Sequence, residues 1–477
     1  MLANRLFREP SETLIWREGF PIGTGLARVR PCGTINLAMR ATVVGGGLAG
    51  SEAAWQLAQR GVEVSLCEMR PAVTTPAHKS DRLGELVCSN SLGSDTAGSA
   101  PALLKAEMRR FGSLILEAAE KAKVPAGSAL AVDRDVFAGH VTERLAGHGR
   151  IRIERRPVVA PEGPVVVATG PLTSPDLAAH LRDRVGAEHL HFFDAAAPIV
   201  TRESLNESRL FAASRYGKGD GVYLNAPFTR EEYDAFHEAL VNAENTVLHL
   251  AEEKDVCFFE GCLPVEVLAR RGKDTLRYGP MKPVGLRDPR TERRPYAVVQ
   301  LRQDNVAGDL FNLVGFQTQL KWGEQKRVFS LIPGLENAEF VRLGVMHKNT
   351  YLSAPAFLAP TMAWRDRPDW YFAGTLIGVE GYTEAAATGL LAGVNLSRHL
   401  HGDAPLVLPP TTMLGALARY VSSCEPKHFQ PINSNWGIVD PLPDRVRDKQ
   451  DRHRLQAERA LRDLDQILSL AVYQATI

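Results

Sequence analysis

Two cysteines lie in segments whose composition suits a reactive thiol. Cys88 stands in Glu-Leu-Val-Cys-Ser-Asn-Ser-Leu-Gly (85–93), where small polar residues favour a turn and an accessible side chain. Cys262 stands in Phe-Phe-Glu-Gly-Cys-Leu-Pro-Val-Glu (258–266), where glycine and proline favour a loop between two carboxylates. Carboxylates disfavour the nucleophilic thiolate, so a cation must also lie close to Cys262. The nearest cations in sequence are Arg270, Arg271 and Lys273.

A structural role stays open for both thiols, because many cysteines simply fill a core as small hydrophobic side chains. We assign that role to the other four, which are Cys32, Cys67, Cys257 and Cys424. All six are widely scattered without a C-x-x-C pair, which argues against a disulfide framework or a zinc site. The pattern favours reduced thiols and a cytoplasmic location. No H-E-x-x-H motif is present, so we predict no metal.

Positive charge is concentrated between residues 270 and 294, in a chain whose formal net charge is only +1. Nine basic residues lie there against three acidic ones, with Tyr278 inside the segment and Tyr296 beside it. A solvated surface is one interpretation of this basic segment, and a phosphate-binding surface with aromatic side chains for stacking is the other. Under the second interpretation, the RNA-binding candidates are Arg270, Arg271, Lys273 and Arg277.

A glycine cluster after an apolar run predicts a dinucleotide-binding turn. Residues 41–50 read Ala-Thr-Val-Val-Gly-Gly-Gly-Leu-Ala-Gly, and an alanine-rich helical stretch follows. Gly45 would permit the tight turn, Gly47 would let the backbone approach a pyrophosphate, and Gly50 would let the helix pack on the strand. Glu68 ends the next predicted strand, where an acid can bind a ribose hydroxyl. The candidates here are Gly45, Gly46, Gly47, Leu48, Ala49, Gly50, Glu68 and Arg70.

The elements that carry these residues predict an α/β fold of Rossmann-like type with an inserted α+β domain. Strands that end in small residues recur at 164–170 and 371–374, and the second is followed by another glycine-rich turn. Between them the α/β alternation stops near Val200. We therefore predict four segments: an N-terminal extension (1–38), a first nucleotide-binding part (39–200), an inserted domain (201–330), and a second nucleotide-binding part with a C-terminal helix (331–477).

Length and charge bound the remaining possibilities. The 477 residues allow two or three domains, and the small net charge provides no global attraction for nucleic acid. No apolar run approaches the roughly 18 residues that a membrane span requires. The segment before Met39 has no clear periodicity, and we expect Met39 to be the natural start. A transit peptide is the competing interpretation, and Glu9, Glu12 and Glu18 weaken it.

Several stretches together resemble one family. They are the glycine turn with Glu68, ELVCSNSL (85–92), FEGCLPVE (259–266), GFQTQLKWGEQKR (315–327), IPGLENAEFVRLG (332–344) and FAGTLIGVEGYTEAAATG (372–389). From Met39 to the C-terminus, the chain is similar to the bacterial folate- and FAD-dependent tRNA (uracil-5-)-methyltransferases. Its flavin-binding parts more distantly resemble the glucose-inhibited division protein A family, which modifies wobble uridines. The extension before Met39 is the one clear departure from the family pattern.

The resemblance implies an FAD-binding fold of the two-dinucleotide type and methylation of C5 of the T-loop uridine (position 54) of tRNA. The carbon would come from 5,10-methylenetetrahydrofolate, and the reducing equivalents from NADH or NADPH through FAD. By motif, Cys262 would be the nucleophile at uracil C6 and Cys88 the second catalytic thiol, although these two roles could be reversed. The resemblance adds four flavin-binding residues, Gly374, Gly378, Gly381 and Tyr382. It implies no membrane and no obligatory protein partner.

Two other functions remain open at this point. An NAD(P)H-dependent flavin oxidoreductase acting on a small molecule would explain the glycine turn, but neither the thiol motifs nor the basic segment. We find no second nucleotide fingerprint that would support it. A partner-dependent, wobble-uridine-modifying flavoprotein is the second alternative, and activity of the purified chain alone would exclude it.

Overall fold

The computed structural model describes residues 39–75, 77–185, 189–195, 197–217, 223–246, 263–344 and 346–475. The strands are β1 (Arg40–Val44), β2 (Glu63–Glu68), β3 (Ser91–Ser94), β4 (Lys123–Val124), β5 (Ala129–Val132), β6 (Ile151–Arg155), β7 (Val165–Val167), β8 (His189–Ala195), β9 (Ile199–Thr201), β10 (Phe211–Ala213), β11 (Tyr223–Phe228), β12 (Ala297–Gln303), β13 (Leu310–Leu313), β14 (Phe340–Arg342), β15 (Met346–Leu352), β16 (Ala363–Trp364) and β17 (Arg367–Phe372). The α-helices are α1 (Leu48–Gln59), α2 (Ala100–Arg110), α3 (Leu114–Lys121), α4 (Arg134–Ala146), α5 (Pro175–Val185), α6 (Arg230–Val241), α7 (Val265–Arg270), α8 (Thr275–Tyr278), α9 (Trp322–Phe329), α10 (Tyr382–His401), α11 (Met413–Ser423) and α12 (Lys449–Ala475).

A six-stranded sheet with the order β16-β17-β7-β1-β2-β6 forms the centre of the first unit. All neighbours pair in parallel except the short edge strand β16. Val43 pairs with Leu66 on one side and Val166 on the other, and all three are fully buried. Such continuous apolar strands are typical of parallel sheets covered on both faces. The sheet confirms the predicted α/β, Rossmann-like class.

Helices α1 and α10 pack against each other closely enough to require small residues. A Cβ added at Gly389 would lie 2.1 Å from the carbonyl oxygen of Ala49, and one at Gly393 would lie 2.6 Å from that of Ala53. The two backbones therefore touch. This contact brings the start of α10, at Tyr382, beside the glycine turn that precedes α1.

The inserted unit, residues 197–344, has a second six-stranded sheet with the order β10-β11-β12-β13-β9-β14. Its pairs are antiparallel, and its helices α6–α9 pack over a separate apolar core. Strands β8 and β15 pair with each other in an antiparallel ribbon where the chain enters and leaves this unit. Because β14 belongs to the second sheet, we propose this ribbon as the domain boundary in place of 201 and 330.

A third, small sheet with the order β3-β5-β4 lies beside the first. The segment 85–93, which carries Cys88, leads into its strand β3. Lys105 of α2 is fully buried and donates to the carbonyl oxygens of Leu92 and Ser94, at 3.1 and 2.8 Å. This small sheet therefore anchors the downstream end of the Cys88 segment. Among the described residues, no helix is both long and apolar enough to cross a bilayer.

Candidate active site

A cavity of about 540 Å³ opens between the first unit and the inserted unit. Its wall includes the glycine turn after β1, the Cys88 segment, the turn before α10, and residues of the neighbouring strands β12 and β13 in the second sheet. These parts are far apart in sequence. The fold thus brings the nucleotide-binding fingerprint and one of the two candidate thiols into the same space.

The glycine turn has the geometry that the fingerprint predicts. Gly45 has φ +104°, and a Cβ there would lie 2.5 Å from the carbonyl oxygen of Ala168. A Cβ at Gly50 would lie 1.8 Å from the carbonyl oxygen of Gly45, so this glycine allows α1 to approach the turn. A Cβ at Gly47 would meet nothing within 4 Å. Gly47 lines the cavity, so its bare backbone leaves room for a ligand there.

The N-terminus of α1 is prepared for an anion. In the described structure no side chain caps it, and its first turn contains no acidic residue. Leu48 and Ala49, the first residues of the helix, line the cavity. Uncapped N–H groups and the helix dipole attract phosphate. The turn therefore fits the pyrophosphate of a dinucleotide such as FAD.

Glu68 and Arg70 line the cavity at the end of β2. Oε2 of Glu68 accepts the N–H of Gly46 at 2.8 Å, and its Oε1 accepts Nε of Arg70 at 2.9 Å. Burial opposes ionisation, but these hydrogen bonds and the charge of Arg70 outweigh it, so the pKa of Glu68 lies below its ordinary value. Arg70 also binds Glu85 at 3.0 Å. The predicted ribose-binding carboxylate is thus ionised and held against the glycine turn.

The second glycine-rich turn contributes three of its four predicted residues to the cavity. Gly374, Gly381 and Tyr382 line it. Gly374 (φ +79°) lies against α1, since a Cβ there would be 3.0 Å from that of Ala49. Gly378 (φ +80°) does not reach the cavity, and a Cβ there would lie 2.5 Å from the ring of Phe429. We therefore reassign Gly378 from ligand contact to shaping of the turn, because its conformation and close packing both require glycine.

Cys88 lies in the cavity wall, and its backbone is held from outside its own segment. The amides of Cys88 and Ser89 donate to the phenol oxygen of Tyr382, at 2.6 and 3.1 Å. Burial raises the pKa of Tyr382, so this phenol stays neutral. Arg134 donates to the carbonyl oxygens of Leu86 and Cys88, at 3.1 and 3.5 Å. The half-buried thiol is therefore placed by side chains of α10 and α4.

Cys262 lies outside the described residues, but both chain ends that flank its segment are anchored together. The amide of Thr246 donates to the carbonyl of Gln319 at 2.8 Å, and the amide of Val265 donates to that of Gln317 at 2.7 Å. Gln317 lines the cavity. Val265, which follows the segment, is therefore bonded to a residue of the cavity wall.

Glu266, at the end of the stretch 259–266, binds the stretch 315–327. The carboxylate, fully buried, accepts Oγ1 of Thr318 at 3.0 Å and the amide of Gln319 at 2.8 Å. Burial raises the pKa of Glu266, which these hydrogen bonds partly oppose. Two of the family-like stretches, 259–266 and 315–327, are thus joined through this side chain.

The basic segment lies on α7, α8 and the loop that follows them. Arg270 and Arg271 are exposed, and Arg270 makes one long hydrogen bond, 3.4 Å, to the carbonyl of Val241. Lys273 and Arg277 pair with carboxylates, at 2.8 and 2.6 Å. Arg277 also lies 3.7 Å from the ring centre of Tyr296. These four cations lie outside the cavity, and the ion pairs of Lys273 and Arg277 partly offset their charge.

Side chains of the second sheet form the part of the wall that sequence reasoning missed. Arg302, Asn312 and Gln317 line the cavity, and only Gln317 lies in a stretch that the sequence singled out. Nε of Arg302 donates to Oδ1 of Asn90 at 2.9 Å. Alternating strand residues carry no local signal for the cavity that they face, so the tertiary fold alone identifies them. The described residues contain no cluster of ligands that could hold a metal ion.

Comparison with known proteins identifies the family. Residues 40–404 match the family model "Glucose inhibited division protein A". The chain is 58% identical over 421 residues to the methylenetetrahydrofolate–tRNA-(uracil-5-)-methyltransferase TrmFO of Moorella thermoacetica, covering 88% of this chain and 96% of the relative. The protein of the same name from Exiguobacterium is 54% identical over 437 residues, which cover 91% of this chain and 100% of the relative.

A solved structure supports the fold. Aquifex aeolicus GidA, in its form II crystal, is similar to this chain with a TM-score of 0.62 and 17% identity. The match covers 91% of this chain and 76% of that one. The chain therefore belongs to the glucose inhibited division protein A family and, within it, to the methylenetetrahydrofolate–tRNA-(uracil-5-)-methyltransferases.

Proposed function

We propose that this protein methylates C5 of a uridine in tRNA, with 5,10-methylenetetrahydrofolate as the carbon donor. The family membership supports this reaction, donor and substrate. We further propose that the target is the T-loop uridine at position 54, that FAD is the bound cofactor, and that NADH or NADPH is the reductant. We expect the chain to act without a protein partner.

The glycine turn and its surroundings would hold FAD. The uncapped N-terminus of α1 and the bare backbone at Gly47 suit the pyrophosphate, and the ionised Glu68 suits a ribose hydroxyl. Gly374 and Tyr382 would close the site near the flavin ring. When bound and reduced, FAD would supply the hydride that completes the methyl group.

The thiols would activate the uracil. C5 of uracil is a poor nucleophile, so a thiolate adds to C6 and moves electron density to C5, which then bonds to the methylene carbon of the folate. A base takes the C5 proton and tetrahydrofolate leaves, which gives an exocyclic methylene group at C5. Addition of the hydride that a bound, reduced flavin would supply then completes the methyl group, expels the thiolate and restores the C5–C6 double bond. Cys262 is our candidate for the thiolate that attacks C6, and Cys88 for the second thiol. The exchanged assignment is the alternative.

One observation carries the proposal. The cavity wall contains Gly47, Cys88 and Gln317 together. A dinucleotide at Gly47 would extend toward the thiol. The inserted unit, which contributes Gln317 to the wall, would contact the entering base. The target uridine must leave its stack to enter, and a surface that binds phosphates, such as Arg270 and Arg271, would hold the tRNA during that step.

The test is transfer of label from the methylene carbon of the folate to an unmodified tRNA transcript. The purified protein receives FAD and NADH or NADPH, and a parallel reaction contains S-adenosylmethionine as the only carbon donor. We expect label in the tRNA only with the folate, and its loss when the T-loop uridine is replaced by cytidine. Oxidation of the nicotinamide without label in the tRNA would overturn the proposed reaction and leave only a flavin oxidoreductase.

Cysteine variants then test whether each thiol takes part in the reaction. We expect Cys262→Ala and Cys88→Ala to abolish label transfer while FAD stays bound, because neither residue belongs to the glycine turn. The matched control is Cys424→Ala, since Cys424 is also partly buried but does not line the cavity. Full activity of Cys262→Ala or of Cys88→Ala would remove that thiol from the mechanism.

A further inference from the structure

Three consecutive carbonyl groups around Cys88 accept hydrogen bonds from arginines. Arg134 donates to the carbonyl oxygens of Leu86 and Cys88, at 3.1 and 3.5 Å. Arg342 donates through Nη2 to the carbonyl oxygen of Val87, which lies between them. The carbonyl side of this short segment is thus held entirely by guanidinium groups, which form strong, directional hydrogen bonds.

The two arginines come from different units. Arg134 begins α4 in the first unit, whereas Arg342 ends β14 in the inserted unit, 255 residues from the carbonyl that it binds. Asn90, just beyond the thiol, also bonds to the inserted unit, through Arg302 and the carbonyl of Gln303. The position of Cys88 therefore depends on how the inserted unit docks against the first.

The same arrangement places positive charge around the thiol. Arg302 and Arg342 each interact electrostatically with Cys88. Asp304 carries the opposing charge and lies 3.2 Å from Arg134. Burial raises the pKa of Asp304, and the three arginines oppose that rise. Among the described residues, the charged or titratable groups that face this segment include Arg70, Lys79, Glu85, Lys105, Arg134, Arg302, Asp304, Arg342 and Tyr382.

These groups carry a net positive charge at the thiol. Glu85 is already bound by Arg70, and Asp304 balances one of the three arginines. Tyr382 is neutral and accepts the Cys88 amide. Cations beside a cysteine stabilise its thiolate form. Arg302 and Arg342 both belong to the inserted unit and bond to the Cys88 segment. Arg342 binds the carbonyl oxygen of Val87, the residue directly before the thiol, whereas Arg302 binds the side chain of Asn90.

We propose that Arg342 is a positioning residue that holds Cys88 in place and in its thiolate form, so that docking of the inserted unit sets the reactivity of this thiol. The importance of that reactivity for methyl transfer rests on the proposed function. The reactivity itself does not, because a thiolate can be measured with a simple alkylating reagent.

The experiment measures alkylation of Cys88 by iodoacetamide between pH 6 and 10, on the full-length protein with FAD. Mass spectrometry of the Cys88 peptide separates this thiol from the other five. We expect Arg342→Gln to move the midpoint of the pH profile upward, and each pH unit of that shift would lower the alkylation rate by about tenfold at pH values below the wild-type midpoint. Arg342→Lys should restore much of the midpoint, because it keeps the charge.

The matched control is Arg365→Gln. Within the described structure, Arg365 also donates to carbonyl groups, those of Pro355, Ala356 and Ser422, but none of them belongs to the Cys88 segment. A second variant should shift the midpoint in the opposite direction, and it keeps the proposal testable if Arg342→Gln does not fold. Asp304→Asn removes the negative counter-charge, so we expect it to move the midpoint downward.

The outcomes separate this inference from the proposed function. An unchanged profile in Arg342→Gln, or an upward shift equal to that of Arg365→Gln, would overturn the role of Arg342. If Arg342→Gln does not fold, an upward or absent shift in Asp304→Asn would overturn it instead. Full methyl transfer by Cys88→Ala would remove Cys88 from the reaction, and would leave the alkylation result standing.

Discussion

The phenol oxygen of Tyr382 lies 2.6 Å from the backbone nitrogen of Cys88, although 294 residues separate them in sequence. The same oxygen accepts the amide of Ser89 at 3.1 Å. Because Tyr382 begins α10, whose backbone touches that of α1, one side chain links the thiol segment to the glycine turn. Two walls of the cavity that are far apart in the sequence are therefore joined directly.

Tyr382→Phe should impair methyl transfer more than folding. The substitution leaves the amides of Cys88 and Ser89 without their acceptor, so the segment that carries the thiol loses its fixed position. Because misplacing a reacting group by about 1 Å can cost roughly a hundredfold, we expect at least about a tenfold fall in the rate of label transfer. The measurement is the rate at saturating tRNA, corrected for FAD content.

Tyr371→Phe is the control for this variant. Its hydroxyl also makes a buried hydrogen bond, donating to the carbonyl oxygen of Asn395 at 3.3 Å, but Tyr371 does not line the cavity. An equal loss of rate in both variants would show that the effect is general destabilisation, and the Tyr382–Cys88 contact would then have no particular role.

Gly47→Ala should weaken FAD binding without disturbing the fold. Gly47 has φ −74°, which any residue adopts, and the new Cβ would meet nothing within 4 Å. It would instead occupy the space that the pyrophosphate needs. We expect the dissociation constant for FAD to rise by about tenfold or more, equivalent to at least about 1.4 kcal/mol. Fluorescence titration of the FAD-free protein measures it.

Gly139→Ala provides the comparison for Gly47→Ala. Gly139 lies within α4, and a Cβ there also meets nothing within 4 Å. Alanine is the better helix former, so this variant should keep its FAD affinity and lose no stability. Unchanged FAD affinity in Gly47→Ala would exclude the pyrophosphate from this position.

The basic segment should contribute unequally to tRNA binding. Replacing Arg270, Arg271 and Lys273 with alanine should weaken binding and flatten its dependence on salt. Lys273 already pairs with Asp234, so we expect Lys273→Ala alone to change the slope less than Arg270→Ala. Each lost phosphate contact should reduce the slope of log K against log salt by roughly 0.7 to 0.9.

Filter binding of a tRNA transcript between 50 and 300 mM salt tests this prediction. Arg454→Ala with Arg462→Ala, on α12 of the first unit, removes exposed charge elsewhere and serves as the control. Equal slopes in the wild type and in the variants of the basic segment would show that this segment is an ordinary solvated surface.

Ionisation of Glu107 should lower the free energy of unfolding as the pH rises from about 4.5 to 8. Its buried carboxyl accepts the amides of Met413 and Leu414, both at 2.8 Å. Burial raises the pKa of Glu107 from 4.5 to about 8. The folded protein therefore binds this proton more tightly than the unfolded chain, and stability decreases as pH rises through that window.

Thermal unfolding at pH 5.5 and 8.0 measures the Glu107 effect. Glu107→Gln cannot ionise, so its deficit relative to the wild type should shrink at the higher pH. Glu143→Gln, at an exposed position on α4, is the control and should show a constant difference. A deficit that grows with pH in Glu107→Gln would contradict the raised pKa.

Much of the fold and part of the site could be predicted from the sequence because they depend on near neighbours. The turn at Gly45–Gly50 is defined by the conformations of consecutive residues, and the apolar runs at 41–44 and 164–167 mark parallel strands wherever they occur. The polar setting of Cys88 is equally local. Gly378 is the exception among the predicted cofactor-binding residues. Its place in a glycine-rich turn could be predicted from the sequence, whereas its contact with Phe429 could not.

Tertiary structure alone decided how these parts combine. Nothing local marks Arg134 and Arg342 as partners of the Cys88 segment, or Arg302 and Asn312 as cavity wall, because these contacts join residues more than 40 positions apart. Ion pairing in the basic segment is likewise invisible in a count of charges. The sequence by itself determined the nucleotide-binding turn and the candidate thiols, whereas packing between the two units determined which side chains surround them. The physical reason is that hydrogen bonds and charge act through space, and local sequence patterns report only neighbours along the chain.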